Sequence, residues 1–116
     1  MDCRLRSLYL CVLDMDRAVR FYEGFLEQAV TVRDEVYSVF DIAGFRLGLF
    51  AFQKTGEPHS YGNNCLPSID VKSRAILEEK LAGLEVVFPL QQIGSNWVSE
   101  FVDSEGNHIE LTAPLE

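Results

Sequence analysis

Two polar side chains near the end of the chain have the types and spacing that acid–base or ligand-binding chemistry uses. His108 and Glu110 are two residues apart in a segment where polar and apolar residues alternate. This alternation predicts a strand that carries both side chains on one face. Such a pair suits the start of a metal site, an acid–base pair or a plain polar strand face, and the sequence leaves all three open. Glu110 also needs a partner, which is either a cationic or hydrogen-bonding ligand or simply Ser99 or Arg46.

An internal repeat indicates how these residues are positioned. A strand pattern, an Asp-x-x-Gly turn and a second strand pattern follow one another twice, first around Asp41 and again around Asp103. The two aspartates are 62 residues apart (103 minus 41), and the glycines of the two turns have the same offset. That offset aligns Glu110 with Gly48. The two halves of the repeat therefore differ at a position where Glu110 could act as a metal ligand and glycine could not.

The elements around the repeat predict an α+β fold. An apolar run at 8–12 precedes Asp14, a residue type that caps helices, and apolar residues then recur at helical spacing. After a stretch rich in Gly, Pro and Asn the same order restarts, so each half predicts strand, helix, strand, strand, strand. Two such βαβββ modules predict an eight-stranded, cup-shaped mixed sheet with its helices outside. The predicted boundaries are one domain at 1–116, module 1 at about 1–55, a linker at about 54–64 and module 2 at about 63–116.

Three details of these elements follow from local residue types. Residues 30–32 are β-branched and predict one strand of module 1. The second helix begins after a cap that is either Asp70 or Ser73. Residues 86–88 predict a strand that ends at Pro89, because proline has no backbone N–H to donate.

Composition limits the classes of function. The chain has 116 residues, 47% of them apolar, with a net charge of -8 and a pI of about 4.7. An acidic protein is a poor partner for nucleic acid or anionic membranes, and it favours a cationic small molecule. Three cysteines without a C-x-x-C spacing predict no disulfide framework and a cytoplasmic setting. No apolar run is long enough to predict a membrane span or a signal peptide.

Two segments, 12–22 and 103–111, carry a resemblance to a known family. The first resembles the strand, Asp-capped helix and Phe-Tyr pair of the vicinal oxygen chelate superfamily, and the second resembles its Asp-x-x-Gly-Asn hairpin with a terminal Glu. That superfamily includes glyoxalase I, extradiol dioxygenases, and fosfomycin- and bleomycin-resistance proteins. The resemblance covers nearly the whole chain. It implies the paired-module fold and a homodimer with pockets completed at the subunit interface.

The resemblance also implies where a metal would bind. Metal enzymes of the superfamily take one ligand from each of four strands, commonly His, Glu or Gln. The matching positions here are Ser7, Gly48, Asn64 and Glu110. Only Glu110 is an ordinary ligand for a transition metal, since serine and asparagine are poor donors and glycine has no side chain. We therefore expect no bound metal and no cofactor.

The cup predicts an aromatic-lined pocket. If Glu110 faces inward, hairpin pairing places Ser99 opposite Glu110 and Phe101 opposite His108. Aromatic rings around a few polar groups suit a small-molecule site, and the alternative is a filled core or a dimer contact. The predicted ligand-binding residues are Ser7, Tyr9, Tyr37, Arg46, Phe50, Asn64, Trp97, Ser99, Phe101, His108 and Glu110.

The function that these observations favour is capture of a small molecule. We expect a metal-independent protein of the glyoxalase/bleomycin-resistance type that sequesters an aromatic or cationic ligand. One alternative is a metal-dependent lyase, isomerase or dioxygenase, and another is a non-catalytic interaction module with a filled cup. The expected partners are a small molecule and a second copy of the chain, with neither nucleic acid nor membrane.

Overall fold

The computed structural model describes residues 5–56 and 66–115, and the chain divides into two compact units, Met1–Ser60 and Tyr61–Glu116. We call them the N-terminal unit and the C-terminal unit. Each combines a small mixed sheet with one helix, which confirms the predicted α+β class. Within the described ranges no helix combines the length and apolar character that crossing a membrane requires. The elements are β1 (Ser7–Cys11), α1 (Met15–Leu26), β2 (Tyr37–Ile42), β3 (Phe45–Phe50), a short 3₁₀ turn (Phe52–Lys54), β4 (Ser68–Asp70), α2 (Arg74–Leu81), β5 (Glu85–Ile93), β6 (Asn96–Val102) and β7 (His108–Pro114).

In the N-terminal unit, helix α1 covers one face of a three-stranded sheet. The strand order is β1-β3-β2, with β1 parallel and β2 antiparallel to β3. Helix α1 begins where predicted, because the Asp14 side chain accepts a hydrogen bond from the Arg17 amide at 3.0 Å. It ends at Glu27, which adopts a left-handed conformation with φ 56°. The ring of Tyr22 on α1 meets the ring of Phe40 on β2 at 6.3 Å, which fixes the face that the helix covers.

In the C-terminal unit, helix α2 packs on a four-stranded sheet of order β4-β7-β6-β5. Strand β4 is parallel to β7, and the other pairs are antiparallel. Of the two predicted caps, Ser73 is the correct one, since its hydroxyl accepts from the Ile76 amide at 3.2 Å and Leu77 is then fully buried. Asp70 instead ends β4 and accepts a hydrogen bond from the Thr112 hydroxyl at 2.8 Å.

The strand predicted at 30–32 is reduced to a single bridge between Val32 and Val39. The amides of Thr31 and Val32 both donate to the same carbonyl, that of Val39, at 2.9 and 3.0 Å. In a regular β-ladder successive hydrogen bonds use different carbonyl groups. Because these two amides share one carbonyl, the pairing does not extend into a strand. The described residues therefore form seven strands where the sequence predicted eight.

Strand β5 does not end at Pro89, and that prediction is wrong. It runs from Glu85 to Ile93, with register shifts between Val86 and Phe88 and between Phe88 and Gln91. Among the strands of the described residues, β5 lies at the edge of its sheet and pairs only with β6. An irregular edge strand tolerates proline because the missing N–H interrupts no pairing on the free side.

The two turns of the repeat differ in burial. Asp41 is exposed, and one of its oxygens accepts from the Gly44 amide at 2.9 Å. Asp103 is buried, and one of its oxygens accepts from the amides of both Glu105 and Asn107 at 2.8 Å. The Asp103 carboxylate thus organises a five-residue loop, whereas the Asp41 carboxylate caps a tight turn.

Replacing Asp103 with Ala should therefore destabilise the protein much more than the matched change at Asp41. The change Asp103→Ala leaves buried amides without an acceptor and should lower the free energy of unfolding by about 2–3 kcal/mol, whereas Asp41→Ala should cost about 1 kcal/mol or less. Urea denaturation followed by circular dichroism measures both. Equal losses for the two variants would contradict the structural role given to Asp103.

Candidate functional site

The face of the N-terminal sheet that α1 leaves uncovered carries five residues predicted to bind a ligand. Strand β3 pairs Arg46 with Ser7 of β1 and Phe50 with Tyr37 of β2, and paired residues point to the same side of a sheet. Tyr9 lies two residues after Ser7 and shares that face. The structure thus brings these side chains together, and ligand binding by them remains a prediction.

A cavity of about 360 Å³ lies on this face. Its volume falls within the range of roughly 300–1,000 Å³ that small-molecule sites occupy. Its lining residues are Arg6, Ser7, Tyr37, Val39, Arg46 and Gly48. Three of these were predicted ligand-binding residues, and a fourth, Gly48, was the position aligned with Glu110.

Gly48 allows the Tyr37 ring to lie directly on the sheet. A Cβ atom built on Gly48 would lie 2.8 Å from Cε1 of Tyr37, and closer still to its Cζ and hydroxyl oxygen. Real Cβ atoms do not come this close to a ring, so a larger residue at 48 would displace Tyr37. The Tyr37 ring therefore occupies the space that a side chain at position 48 would need. This packing explains why the position carries glycine and no polar side chain.

Three aromatic rings form one wall beside the cavity. The Tyr9 ring centroid lies 5.2 Å from that of Phe50 and 6.0 Å from that of Tyr37, with edge-on geometry in both pairs. Tyr37 and Phe50 are also 6.0 Å apart. These distances are typical of attractive aromatic pairs. Tyr9 and Tyr37 remain 44% and 36% exposed, so their outer surfaces can still contact another molecule.

Two polar groups that line the cavity, on Arg46 and Tyr37, have no partner within the described residues. Neither the Arg46 guanidinium nor the Tyr37 hydroxyl has a hydrogen-bond or ion-pair partner in 5–56 or 66–115. Burial, and secondarily the nearby Tyr9, raise the pKa of Tyr37, while the positive charge of Arg46 acts in the opposite direction. Tyr37 is therefore a neutral hydroxyl at physiological pH, and Arg46 is a free cation beside it.

The C-terminal unit has a polar constellation on its own sheet. The Nδ1 atom of His108 lies 2.6 Å from Oε2 of Glu100, a carboxylate that is only 6% exposed. Glu110, directly opposite Glu100 in the strand pairing, accepts a hydrogen bond from the Ser68 hydroxyl at 2.8 Å. A buried carboxylate that holds one imidazole nitrogen orients the other, so this pair has the geometry of an acid–base dyad.

Glu100 was not among the predicted site residues because the hairpin register is one residue different from the predicted one. The predicted partner of Glu110 was Ser99, whereas the structure pairs Glu110 with Glu100 and Val102 with His108. The physical reason is the loop at Asp103. Its carboxylate accepts from the amides of Glu105 and Asn107, and its own amide donates to the Asn107 carbonyl at 2.8 Å, so Asp103 is held opposite Asn107. The polar partner of Glu110 is likewise Ser68 of β4, and not Ser99 or Arg46.

The same register change moves three predicted residues to the opposite face. Ser99 and Phe101 pair with Leu111 and Ile109, are fully buried, and alternate with Glu100 on β6. Trp97 shares their face, because the Arg74 guanidinium on α2 lies 4.2 Å from the centre of its ring. The predicted placement of Trp97, Ser99 and Phe101 beside Glu110 was wrong, and these residues lie on the face toward α2.

The donor set of the described residues does not fit the metal centre of the superfamily. Among residues 5–56 and 66–115, no group of three or more His, Cys, Asp and Glu side chains is arranged to hold a metal ion. Gly48 supplies no donor, and Tyr9 rather than Ser7 lies directly opposite it. Asn64, the remaining predicted position, lies outside the described residues.

Several solved structures of glyoxalase-related proteins have the same fold as this chain. A glyoxalase-related enzyme from Fulvimarina pelagi is 16% identical to the chain with a TM-score of 0.79, and the match covers 95% of this chain and 87% of the other. A glyoxalase/bleomycin resistance protein/dioxygenase from Nocardioides is 21% identical with a TM-score of 0.74, over 100% and 86% of the two chains. No family model and no curated protein sequence matches. The predicted resemblance is thus confirmed for the fold alone.

The close approach of Tyr37 to Gly48 predicts that a substitution at Gly48 changes the pKa of Tyr37. The change Gly48→Ala should push the Tyr37 ring into water, so the raised pKa of Tyr37 should fall back toward the usual value of about 10. Ultraviolet titration of the phenolate, with Tyr37→Phe to assign the signal, measures this shift. Gly24→Ala is the matched control, since a Cβ atom at Gly24 meets no other atom within 4 Å.

The direction of the accompanying stability change follows from linkage. A folded-state pKa raised above the unfolded value leaves stability intact below about pH 10, and stability is lost as the pH rises further because the unfolded chain ionises first. This alkaline loss should shrink in Gly48→Ala and in Tyr37→Phe. An unchanged tyrosine titration in Gly48→Ala would contradict the packing of Tyr37 on Gly48.

Proposed function

We propose that the protein binds a small aromatic molecule on the open face of its N-terminal sheet and does so without a metal. The supporting observation is the cavity of about 360 Å³ beside the ring cluster of Tyr9, Tyr37 and Phe50. Partly exposed rings offer a planar ligand both apolar contact and edge or face interactions. The proposed action is capture of the ligand, and proteins named for bleomycin resistance are among those with this fold.

Capture without turnover follows from the chemical groups beside the cavity. The described lining residues supply hydroxyls, guanidinium groups and apolar surface, but neither a carboxylate nor an imidazole. General acid–base chemistry near neutral pH uses groups that titrate in that range, and Tyr37 titrates far above it. The site therefore favours binding and orientation over proton transfer.

A homodimer in the cytoplasm completes the proposal. The edge strand β5 exposes Val86, Val87 and Ile93, which are 39%, 45% and 52% exposed. Apolar groups on an unpaired edge strand are suited to pairing with another chain. Light scattering on the purified protein measures the mass directly, and a monomer at all concentrations would remove this part of the proposal.

The Glu100–His108 pair supports a second candidate function, that of an enzyme. A buried carboxylate and a partly exposed imidazole at 2.6 Å can accept and return a proton at a substrate. The metal-dependent lyase, isomerase or dioxygenase predicted as an alternative from the sequence would need further ligands from residues beyond the described ranges or from a second chain. Ligand chemistry that depends on His108 or on added metal would favour this candidate.

Removing the Tyr9 ring should weaken aromatic binding. An aromatic contact contributes about 0.5–1.5 kcal/mol beyond the area that it buries, so Tyr9→Ala should raise the Kd for 2-naphthol by roughly tenfold once the lost area is included. Isothermal titration calorimetry measures the change. Leu13→Ala is a matched control, because Leu13 is an exposed apolar residue of the same unit, 54% exposed, outside the cavity lining.

Dialysis against a chelator separates the two candidates. The proposed site predicts the same Kd for 2-naphthol before and after dialysis, and the same Kd in Glu110→Gln. Binding that disappears on chelation and returns with zinc, nickel, manganese or iron would refute metal independence. Binding that is unaffected by Tyr9→Ala would place the ligand elsewhere and refute the proposed site.

A further inference from the structure

Arg46 gives the N-terminal cavity a local charge opposite to that of the protein. The chain has a net charge of -8, yet among the described residues the cavity is lined by two arginines, Arg6 and Arg46, and by no acidic side chain. Charges farther away than the Debye length of about 8–10 Å are largely screened at physiological salt. A ligand in the cavity therefore senses Arg46 more strongly than the average acidic surface.

The carboxylate that lies opposite Arg46 in the strand pairing forms no ion pair with it. Asp41 lies opposite Arg46 in the pairing of β2 with β3, but one of its oxygens accepts from the Gly44 amide in the turn. No described acidic group lies within ion-pair distance of the Arg46 guanidinium, in contrast to Arg74, whose Nε atom is 3.5 Å from Glu78. The guanidinium thus keeps its donors available for an external acceptor.

Two neutral hydroxyl groups lie on the same face as this cation. Ser7 is paired with Arg46 across β1 and β3, and Tyr37 lines the same cavity. Burial keeps Tyr37 protonated, so its hydroxyl can donate a hydrogen bond. A guanidinium flanked by hydroxyl donors is complementary to a carboxylate, which accepts from several donors at once.

Resting on the proposed function, we infer that the captured ligand is a small planar aromatic acid. Its carboxylate binds Arg46 with Tyr37 and Ser7 as further donors, and its ring contacts the wall formed by Tyr9, Tyr37 and Phe50. The volume of about 360 Å³ fits a ligand of one or two fused rings. The net charge of the protein had predicted a cationic ligand. We infer an anionic one instead, because the local charge of the cavity is positive whereas the net charge of the protein is negative.

Three probes of one size and different charge test this inference. Calorimetry at constant ionic strength compares 2-naphthoate, neutral 2-naphthol and (2-naphthyl)methylammonium. A hydrogen bond to a charged group contributes about 1.5–3 kcal/mol, so 2-naphthoate should bind at least about tenfold more tightly than 2-naphthol. The ammonium compound should bind most weakly of the three.

Variants at Arg46 assign the discrimination to one side chain. Arg46→Gln should abolish the preference for 2-naphthoate and leave the Kd for 2-naphthol within about twofold, while Arg46→Lys should retain part of the preference. Arg20→Gln, an exposed arginine on α1, changes the net charge equally and should have no effect. Circular dichroism confirms that the variants are folded.

The outcomes distinguish the inference from the function on which it rests. Equal affinity for the acid and the neutral compound, or tightest binding of the ammonium compound, overturns the inference and leaves aromatic capture standing. An equal loss in Arg20→Gln and Arg46→Gln also overturns it, because bulk charge would then explain the preference. If none of the three probes binds, both the inference and the proposed function fail.

Discussion

The contact between the Tyr37 ring and Gly48 is the constraint on which the rest of the N-terminal site depends. A side chain at position 48 would occupy the space of the ring, so glycine there is what allows the tyrosine to lie on the sheet. From that position Tyr37 contacts both Tyr9 and Phe50 and forms one side of the cavity. The aromatic wall, the raised pKa of Tyr37 and the opening beside Arg46 all follow from this one close approach.

The two units show how one supersecondary pattern produces different surfaces. Gly48 and Glu110 occupy matching places in the repeat, on strands β3 and β7. The glycine is covered by an aromatic ring, whereas Glu110 is held by the Ser68 hydroxyl and faces Glu100 across the hairpin. One unit therefore presents rings and a free cation, and the other presents carboxylates and an imidazole. Function resides in these side chains and not in the shared fold.

Much of the fold was predictable because local interactions determine it. The cap at Asp14, the apolar periodicity of α1 and the glycine turns act over a few residues, and the structure confirms them. The hairpin register was not predictable in the same way. It depends on the side chain of Asp103 closing a loop one residue longer than the repeat offset implied, and a one-residue slip reverses the face of every side chain.

The same distinction explains which parts of the site were found. Ser7, Tyr9, Tyr37, Arg46 and Phe50 share a face because the alternation within short regular strands places them there. Glu100 was missed, and Trp97, Ser99 and Phe101 were misplaced, because all four depend on the slipped register of β6. The burial of Glu100 beside His108 is a tertiary property that residue spacing alone does not express.

Nuclear magnetic resonance with ¹⁵N-labelled protein tests the central claim most directly, because it locates a bound molecule residue by residue. Titration with neutral 2-naphthol should shift the amide signals of Tyr9, Tyr37, Gly48 and Phe50 in a saturable manner and leave those of β7 unchanged. Saturable shifts confined to the C-terminal unit, or no shifts in the N-terminal sheet at high ligand concentration, would contradict the account.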